Sequence, residues 1–286
     1  MKKVKVGIIG YGFVGKATAK GFSKNTELFL VDPLLGTNLS DLKEFMPEFI
    51  FICLPTPMRK NGSQDFTLVN KVFKELLTNK FSATVVLKST VTPSNIKIVD
   101  NLIEDYIYNP EFLREKHAEE DFINSNMIIL GGSKNNQEKV KNLYENHSIC
   151  KTKNYVLTDK ITASLIKYSI NSFLASKVIF FNELRDLFNS SGAEEDWDTF
   201  TDVLAMDKRI GNSHMDVPGP DGRYGFGGPC FPRDVSALIE FSSELGTELS
   251  LLKKANTINN NIRAEYNNLS EREKEQNIRY RTNKEE

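Results

Sequence analysis

The chain has 286 residues, of which 40% are hydrophobic and 26% charged, and a formal net charge of −1, as expected for a globular protein of about two domains. This balance predicts no nucleic-acid partner, although it leaves room for a local basic patch, and no apolar run is long enough for a membrane span or a signal peptide. The three cysteines (Cys53, Cys150 and Cys230) are odd in number and far apart, which favours a cytoplasmic protein, and the three histidines lack the spacing of a metal site.

The first half of the sequence alternates predicted strands with predicted helices. Short β-branched or aromatic runs predict strands at 4–9, 28–32, 49–55, 84–90 and 126–132. Helical patterns lie between several of them, including KATAKGFSK and LVNKVFKELLTN. Strands that alternate with helices predict an α/β fold, a Rossmann-like, doubly wound parallel sheet with helices on both faces.

The pattern changes near Thr158. From there to about Ser190 the sequence contains no proline or glycine, and apolar residues recur at helical spacing, which predicts one long helix. We therefore expect a Rossmann-like domain at 1–157, an all-helical central domain at 158–262 and a polar tail at 263–286. The excess apolar length of the long helix predicts the core of a homodimer, and the tail is expected to be a solvated helix end or disordered.

A glycine motif follows the first predicted strand. Gly10, Gly12 and Gly15 match G-x-G-x-x-G between a strand and a helix, the pattern that brings a pyrophosphate onto free N–H groups at the helix start. Asp32 ends the second predicted strand, where a carboxylate would bind a ribose 2′-hydroxyl and repel a 2′-phosphate. The motif therefore favours NAD over NADP. The alternative is a structural strand–turn–helix without a cofactor.

The stretch GFGGPCFPRD, residues 225–234, places a thiol directly before a predicted helix. The glycines would let a substrate approach, and Pro232 suits a first helical turn. The helix N-terminus and Arg233 favour a thiolate at Cys230, and Asp234 is a candidate proton acceptor. The alternative is a small buried cysteine at a loop–helix junction.

Lys167 and Asn171 are polar residues one turn apart on the long apolar helix. One interpretation is a pair of donors that stabilises an oxyanion. The other is a lysine whose ammonium extends to solvent along an apolar surface. The residues alone leave both open.

Seven segments together resemble the UDP-glucose/GDP-mannose dehydrogenase family, in the family's order and over nearly the whole chain to about Ile258. They are VGIIGYGFVG, FICLPTP, LKSTVTPSN, NPEFLREKHAEEDF, ASLIKYSINSFLASKVIFFNEL, MDKRIG and GFGGPCFPRD. The resemblance implies an NAD-dependent, four-electron oxidation of a nucleotide-sugar C6 alcohol to a carboxylate. UDP-glucose is the favoured substrate, and GDP-mannose or a UDP-N-acetylhexosamine is the alternative.

The resemblance also implies roles for individual residues. Cys230 is similar to the nucleophile that forms a thiohemiacetal and then a thioester, Lys167 and Asn171 to the groups that stabilise charge on the C6 oxygen, and Asp234 to a water-linked base partner. Thr90 would lie beside the nicotinamide and a catalytic water, and Glu111 would aid thioester hydrolysis.

Binding positions follow from the same resemblance. Arg209 is similar to an arginine that reaches substrate in the other subunit, and Arg233 stands where the family usually has lysine, so contact with a cofactor phosphate is expected from a different donor. The implied cofactor-binding residues are Gly10, Gly12, Phe13, Val14, Gly15, Asp32, Pro55, Thr90, Glu115 and Arg233. The implied substrate-binding residues are Glu111, Phe112, Leu113, Lys167, Asn171, Arg209, Tyr224, Phe226, Gly227 and Cys230.

Two departures from the family pattern affect the substrate. The loop from Asn212 to Tyr224 is longer than expected, and the family's further Rossmann-like domain, which holds much of the nucleotide, is missing after the long helix. We expect a naturally short form, with a fragment as the alternative, and weak affinity for a UDP-sugar. Two other functions compete: a β-hydroxyacid dehydrogenase with a single hydride transfer, and a non-catalytic NAD-binding scaffold.

Overall fold

The structure is a computed structural model that describes residues 3–22, 24–103, 105–266 and 268–281. The chain divides into two compact units. The first comprises Met1–Thr56 and Asp65–Lys167, and the second comprises Pro57–Gln64 and Tyr168–Glu286.

The first unit is built on a sheet of seven strands in the order β2-β1-β3-β4-β5-β6-β7. All neighbouring pairs are parallel except β5 and β6, which are antiparallel. The expected doubly wound sheet is therefore confirmed as mostly parallel, with one antiparallel pair that the sequence did not predict. The strands are β1 (Val4–Ile9), β2 (Thr26–Val31), β3 (Phe49–Ile52), β4 (Thr84–Leu87), β5 (Ile107–Tyr108), β6 (Ile128–Gly131) and β7 (Tyr155–Thr158).

Helices cover both faces of this sheet because its central strands are apolar on both sides. On β3, Ile50 and Ile52 belong to one buried cluster and Phe51 to another, as the alternation of a strand requires. The helices of the first unit are α1 (Phe13–Gly21), α2 (Leu39–Phe45), α3 (Thr67–Thr78), α4 (Pro93–Asp100), α5 (Ala118–Ile123) and α6 (Lys134–His147).

The chain order reverses direction at β1. It runs outward to β2 and then returns to β3 on the other side of β1, so the carboxyl ends of β1 and β3 form a topological switch point. This is where parallel α/β sheets bind ligands, and the glycine motif directly follows β1.

The long helix predicted from Thr158 is α7, which spans Lys160–Ser190. The Asp159 carboxylate accepts hydrogen bonds from the backbone and side chain of Thr162 at its start, which lowers the pKa of Asp159. The first turns belong to the core of the first unit, where Ala163 is fully buried. The Ser164 hydroxyl donates to the carbonyl of Val91 at 2.6 Å.

The second unit is helical, with two buried clusters. One joins Ala175 and Ile179 of α7 to Val235 and Leu252, and the other joins Phe181 of α7 to Trp197, Met215 and Val217. Its further helices are α8 (Trp197–Ala205), α9 (Phe231–Glu244), α10 (Ser250–Ala264) and α11 (Glu271–Glu275).

The segment expected to be a polar tail contains ordered structure. Helix α11 begins with a capping box in which Ser270 and Glu273 bond each other's backbone N–H groups, and Ile278 after it is only 2% exposed. The described part of this segment thus packs on the second unit rather than remaining solvated, because a few buried contacts offset its polar composition. Residues 267 and 282–286 of the expected tail lie outside the described residues.

The described part of the chain contains neither a helix that could span a membrane nor a cluster of metal ligands. None of its helices is both long and apolar enough to cross a membrane. No group of three or more histidine, cysteine or acidic side chains within it is arranged to hold a metal ion.

Candidate active site

The three motif glycines meet three different physical requirements. Gly10 has φ +91°, a conformation that L side chains rarely adopt, and a Cβ on Gly15 would lie 2.0 Å from the carbonyl oxygen of Gly10. A Cβ on Gly12, in contrast, would meet no atom of the described residues within 4 Å. The turn therefore needs Gly10 and Gly15 for its own packing and leaves open space at Gly12, where a pyrophosphate would approach.

Asp32 lies beside this turn. Its carboxylate accepts hydrogen bonds from the backbone N–H of Tyr11 at 2.8 Å and of Leu34 at 2.9 Å. Each carboxylate oxygen keeps further lone pairs for a ribose hydroxyl. The open turn, the N-terminus of α1 and this carboxylate form a donor and acceptor set that fits a dinucleotide.

The remaining expected cofactor positions of the first unit differ in exposure. Phe13 and Val14 are half-buried at the start of α1. Pro55 follows β3 and is exposed, whereas Thr90 follows β4 and is buried. Glu115 lies on an exposed helical turn, Glu115–His117.

Lys167 and Glu111 are brought together in the first unit. The Lys167 Nζ is buried, donates to the Glu111 carbonyl oxygen at 2.5 Å and lies 3.5 Å from the Glu111 carboxylate. It also lies 5.0 Å from the centre of the Phe112 ring, and the backbone N–H of Leu113 donates to the Glu111 carboxylate. The Lys167 side chain thus does not extend to solvent, so the alternative of a lysine with a solvent-exposed ammonium does not hold.

Cys230 directly precedes α9 as its N-cap residue and is half-buried. The thiol therefore lies at the positive end of a helix dipole, an environment that favours a thiolate. The other two thiols differ. Burial raises the pKa of Cys53 to about 12, although Lys88 acts against this, and burial also raises the pKa of Cys150.

A buried polar chain begins next to Cys230 in the second unit. The Asn171 amide donates to one oxygen of Asp234 at 2.6 Å, and the Arg233 guanidinium donates to the other at 2.8 Å. Arg233 also donates to the side-chain oxygen of Gln276 at 3.1 Å. Burial disfavours the charged guanidinium, but Asp234 and Cys230 together raise the pKa of Arg233, so Arg233 remains a cation.

The Asn171 amide donates one of its two hydrogens to Asp234, which leaves the second hydrogen for another acceptor.

Comparison with known proteins decides the family. A sequence model of the NAD binding domain of the UDP-glucose/GDP-mannose dehydrogenase family matches residues 37–148, and one of the family's central domain matches residues 161–261. The chain belongs to this family. The match to the NAD binding domain also confirms NAD as the cofactor, although it begins after the glycine motif and does not test the individual glycines.

Individual relatives agree with this assignment. The chain is 36% identical over 203 residues to a UDP-glucose 6-dehydrogenase of Rickettsia bellii, a match that covers 67% of this chain and 44% of that protein. The chain thus spans about half the length of the curated UDP-glucose 6-dehydrogenases that it matches.

The fold of the chain is similar to that of several solved structures. A UDP-glucose dehydrogenase from the archaeon Pyrobaculum islandicum matches with a TM-score of 0.75 and 26% identity, over 90% of this chain and 68% of that one. A 3-hydroxyisobutyrate dehydrogenase from Mycobacterium tuberculosis matches with a TM-score of 0.71 over 94% of this chain and 96% of that one, but at 16% identity it shows the fold alone.

The glycine loop before Cys230 has a packing role that the sequence did not indicate. A Cβ on Gly225 would lie 2.6 Å from the Asn259 side chain, and one on Gly227 would lie 2.7 Å from the Arg263 guanidinium. Phe226 between them is 3% exposed and belongs to a buried cluster. These two glycines therefore let the loop pack on α10, whereas a Cβ on Gly228 would meet no atom of the described residues within 4 Å.

Two other expected substrate residues lie apart from this packing. Arg209 has a side chain that is 90% exposed and ion-paired with Asp207. Tyr224 is half-buried, and its backbone N–H donates to the Tyr266 hydroxyl at 3.0 Å.

Sequence reasoning missed Lys88, Glu273 and Gln276. Lys88 is buried and donates to the Asn109 side chain at 3.1 Å, and burial lowers the pKa of Lys88 although Glu111 acts against this. Its position in LKST, immediately after an apolar strand, was the available signal. For Glu273 the signal was the capping-box spacing from Ser270.

Proposed function

We propose that the chain is an NAD-dependent nucleotide-sugar dehydrogenase that oxidises a C6 alcohol to a carboxylate, with UDP-glucose as the favoured substrate. The observation that carries the proposal is Cys230 at the N-terminus of α9, next to the buried Asn171–Asp234–Arg233 chain. We favour UDP-glucose as the substrate because similar proteins are named UDP-glucose dehydrogenases.

The turn at Gly12 and the Asp32 carboxylate would hold NAD, which would supply the oxidant as one hydride acceptor for each of the two oxidations. The Cys230 sulfur forms a bond to the C6 aldehyde and holds it as a thiohemiacetal, so the aldehyde cannot diffuse away between the steps. Oxidation of this adduct gives a thioester. Water then breaks the carbon–sulfur bond, which releases the carboxylate and returns the thiol.

The chain's other residues stabilise charge and move protons in this scheme. The resemblance to the family assigns Lys167 and Asn171 to the stabilisation of negative charge on the C6 oxygen, and Asn171 has its second amide hydrogen for this purpose. Asp234 holds the Asn171 amide in place and accepts a proton through water, while Glu111 assists the water that hydrolyses the thioester. One alcohol, one water and two NAD then give one carboxylate, two NADH and three protons.

The proposal includes a homodimer. Phe173, Phe180 and Leu187 recur every two turns along α7 and are 66%, 59% and 63% exposed. A row of exposed large apolar side chains on one helix favours burial against another surface. A second copy would also give the exposed Arg209 a substrate to reach.

A substrate panel tests the proposed function. The chain is incubated with NAD and, separately, UDP-glucose, GDP-mannose, a UDP-N-acetylhexosamine and 3-hydroxyisobutyrate, and the products are identified by mass spectrometry. We expect a uronate from UDP-glucose. Oxidation of 3-hydroxyisobutyrate alone would contradict the proposal.

A further inference from the structure

The second unit contains a cavity that the proposed reaction does not use. It has a volume of about 430 Å³ and lies between the segment 57–64, α9, α10 and the chain at 279–281. This volume is within the usual range of small-molecule sites, about 300–1,000 Å³.

The cavity is strongly cationic. Its lining includes the five basic residues Arg59, Lys60, Lys253, Arg279 and Arg281. Among the described residues that line it, Glu240 is the one carboxylate, and Lys253 is also paired with Glu248 just outside at 3.1 Å. Five basic side chains thus line one concave surface, although the net charge of the chain is −1. A ligand with several negative charges would reduce the repulsion between these side chains.

The segment that supplies two of these arginines is held in place by buried contacts. The carbonyl of Gln276 accepts a hydrogen bond from the N–H of Met58 at 3.0 Å, and Ile278 is 2% exposed. The Tyr280 hydroxyl donates to the buried Glu273 at 2.7 Å. Since Ile278 and Tyr280 face the protein, the alternate residues Arg279 and Arg281 are exposed and line the cavity.

The opposite wall is a tight turn. Met58 and Gln64 form an antiparallel bridge, the N–H of Arg59 donates to the Ser63 carbonyl at 2.7 Å, and the N–H of Gly62 donates back to the Arg59 carbonyl at 3.0 Å. This turn presents Arg59 and Lys60 to the cavity. The bond between Met58 and Gln276 ties the two basic segments together, so the charges belong to one built surface.

We propose that this cavity binds a small molecule that carries a di- or triphosphate group. Arginine forks match phosphate oxygens geometrically, and lysines add compact positive charge. Neutral donors from Ser236, Ser243 and Asn256 complete the lining. A concave volume of this size favours a small phosphate compound over a nucleic acid, which would need an extended surface. The site is independent of the proposed oxidation.

Calorimetric titration of the full chain at low ionic strength tests the proposal, with saturating NAD present so that the dinucleotide site is filled. The probes are inorganic pyrophosphate and UDP. We expect both to bind, and Lys60→Gln with Arg279→Gln to weaken pyrophosphate binding about tenfold or more. The matched control, Lys71→Gln with Lys74→Gln on the surface of α3, removes the same charge and should change binding less than about twofold.

Equal losses of pyrophosphate and UDP affinity in the double variant would identify phosphate as the group that the cavity recognises, and a larger loss for UDP would identify a nucleotide; either supports the proposal. The exposed positions of Lys60 and Arg279 allow both substitutions without loss of folding, which thermal unfolding checks. No binding of either probe, or binding that the double variant leaves unchanged, would overturn the proposal, whether or not the chain oxidises a sugar.

Discussion

Gly12 and Gly15 belong to the same turn, but a side chain would meet open space at Gly12 and the Gly10 carbonyl at Gly15. Alanine at each position therefore gives a matched pair of variants. Gly12→Ala adds a methyl group into open space, so stability should be unchanged while NAD affinity falls about tenfold. Gly15→Ala places its Cβ against the Gly10 carbonyl and should destabilise the fold by about 1–3 kcal/mol. Urea unfolding and NAD titration separate the two. Equal losses of stability in both variants would show that Gly12 is a packing residue.

The three thiols should react at different rates. Burial holds Cys53 protonated, with its pKa raised to about 12, and the pKa of Cys150 is raised as well. Cys230 lies at a helix N-terminus, where thiolate is favoured. Alkylation by iodoacetamide at neutral pH, followed by peptide mass spectrometry, should label Cys230 first, then Cys150, and Cys53 last. Faster labelling of Cys150 than of Cys230 would count against an activated nucleophile.

Helix α11 stabilises the loop before Cys230. The buried Glu273 accepts hydrogen bonds from Ser270, from Gly228 of that loop and from Tyr280. Glu273→Ala leaves these donors without their acceptor and should cost about 2 kcal/mol in the free energy of unfolding. Glu271→Ala, on the exposed side of the same helix, should change it by less than about 0.5 kcal/mol. Equal effects would show that the helix contributes only its general stability.

The same carboxylate gives a pH dependence. Burial acts to raise the pKa of Glu273, but hydrogen bonds from Tyr280, Ser270 and Gly228 outweigh it and lower the pKa below 4.5. The stabilisation is therefore present above pH 4.5 and is lost as the pH falls through the folded-state pKa. Glu273→Gln should remove this component, so its unfolding free energy should fall less steeply with acid than that of the parent. Parallel acid profiles would contradict the assignment.

The row of exposed apolar side chains on α7 predicts self-association. Phe180→Asp should convert a dimer into a monomer in light scattering, because a charge would be buried without a partner. Ile98→Asp on α4 removes an exposed apolar side chain of the first unit and should leave the dimer intact. A monomeric parent chain, or a Phe180→Asp variant that stays dimeric, would contradict the proposed interface.

Much of this organisation could be predicted from the sequence. Hydrophobic periodicity identified β1, β3, β4 and α7 because those segments are long or strongly apolar. It missed β5, which has only two residues, and β7, whose central residues are exposed. The antiparallel pairing of β5 with β6 depends on tertiary geometry and leaves no local signal.

The candidate site divides in the same way. Spacing predicted a tight turn at Gly10, a carboxylate at the end of the second strand at Asp32 and a thiol directly before a helix at Cys230, and the structure shows these three local features. Spacing could not show that Arg233 donates a hydrogen bond to Gln276, because the two residues are far apart in the sequence and Gln276 lies in a polar segment. A segment with few apolar residues can still fold when distant partners satisfy its polar groups.

The proposed function requires Cys230 to hold the substrate through two oxidations. The direct measurement is the number of NADH molecules formed per UDP-glucose consumed, for the parent chain, for Cys230→Ala and for Cys150→Ala as the matched thiol control. We expect two NADH per sugar for the parent and the Cys150 variant, and loss of this turnover in Cys230→Ala. One NADH per sugar, or full activity without the Cys230 thiol, would contradict it.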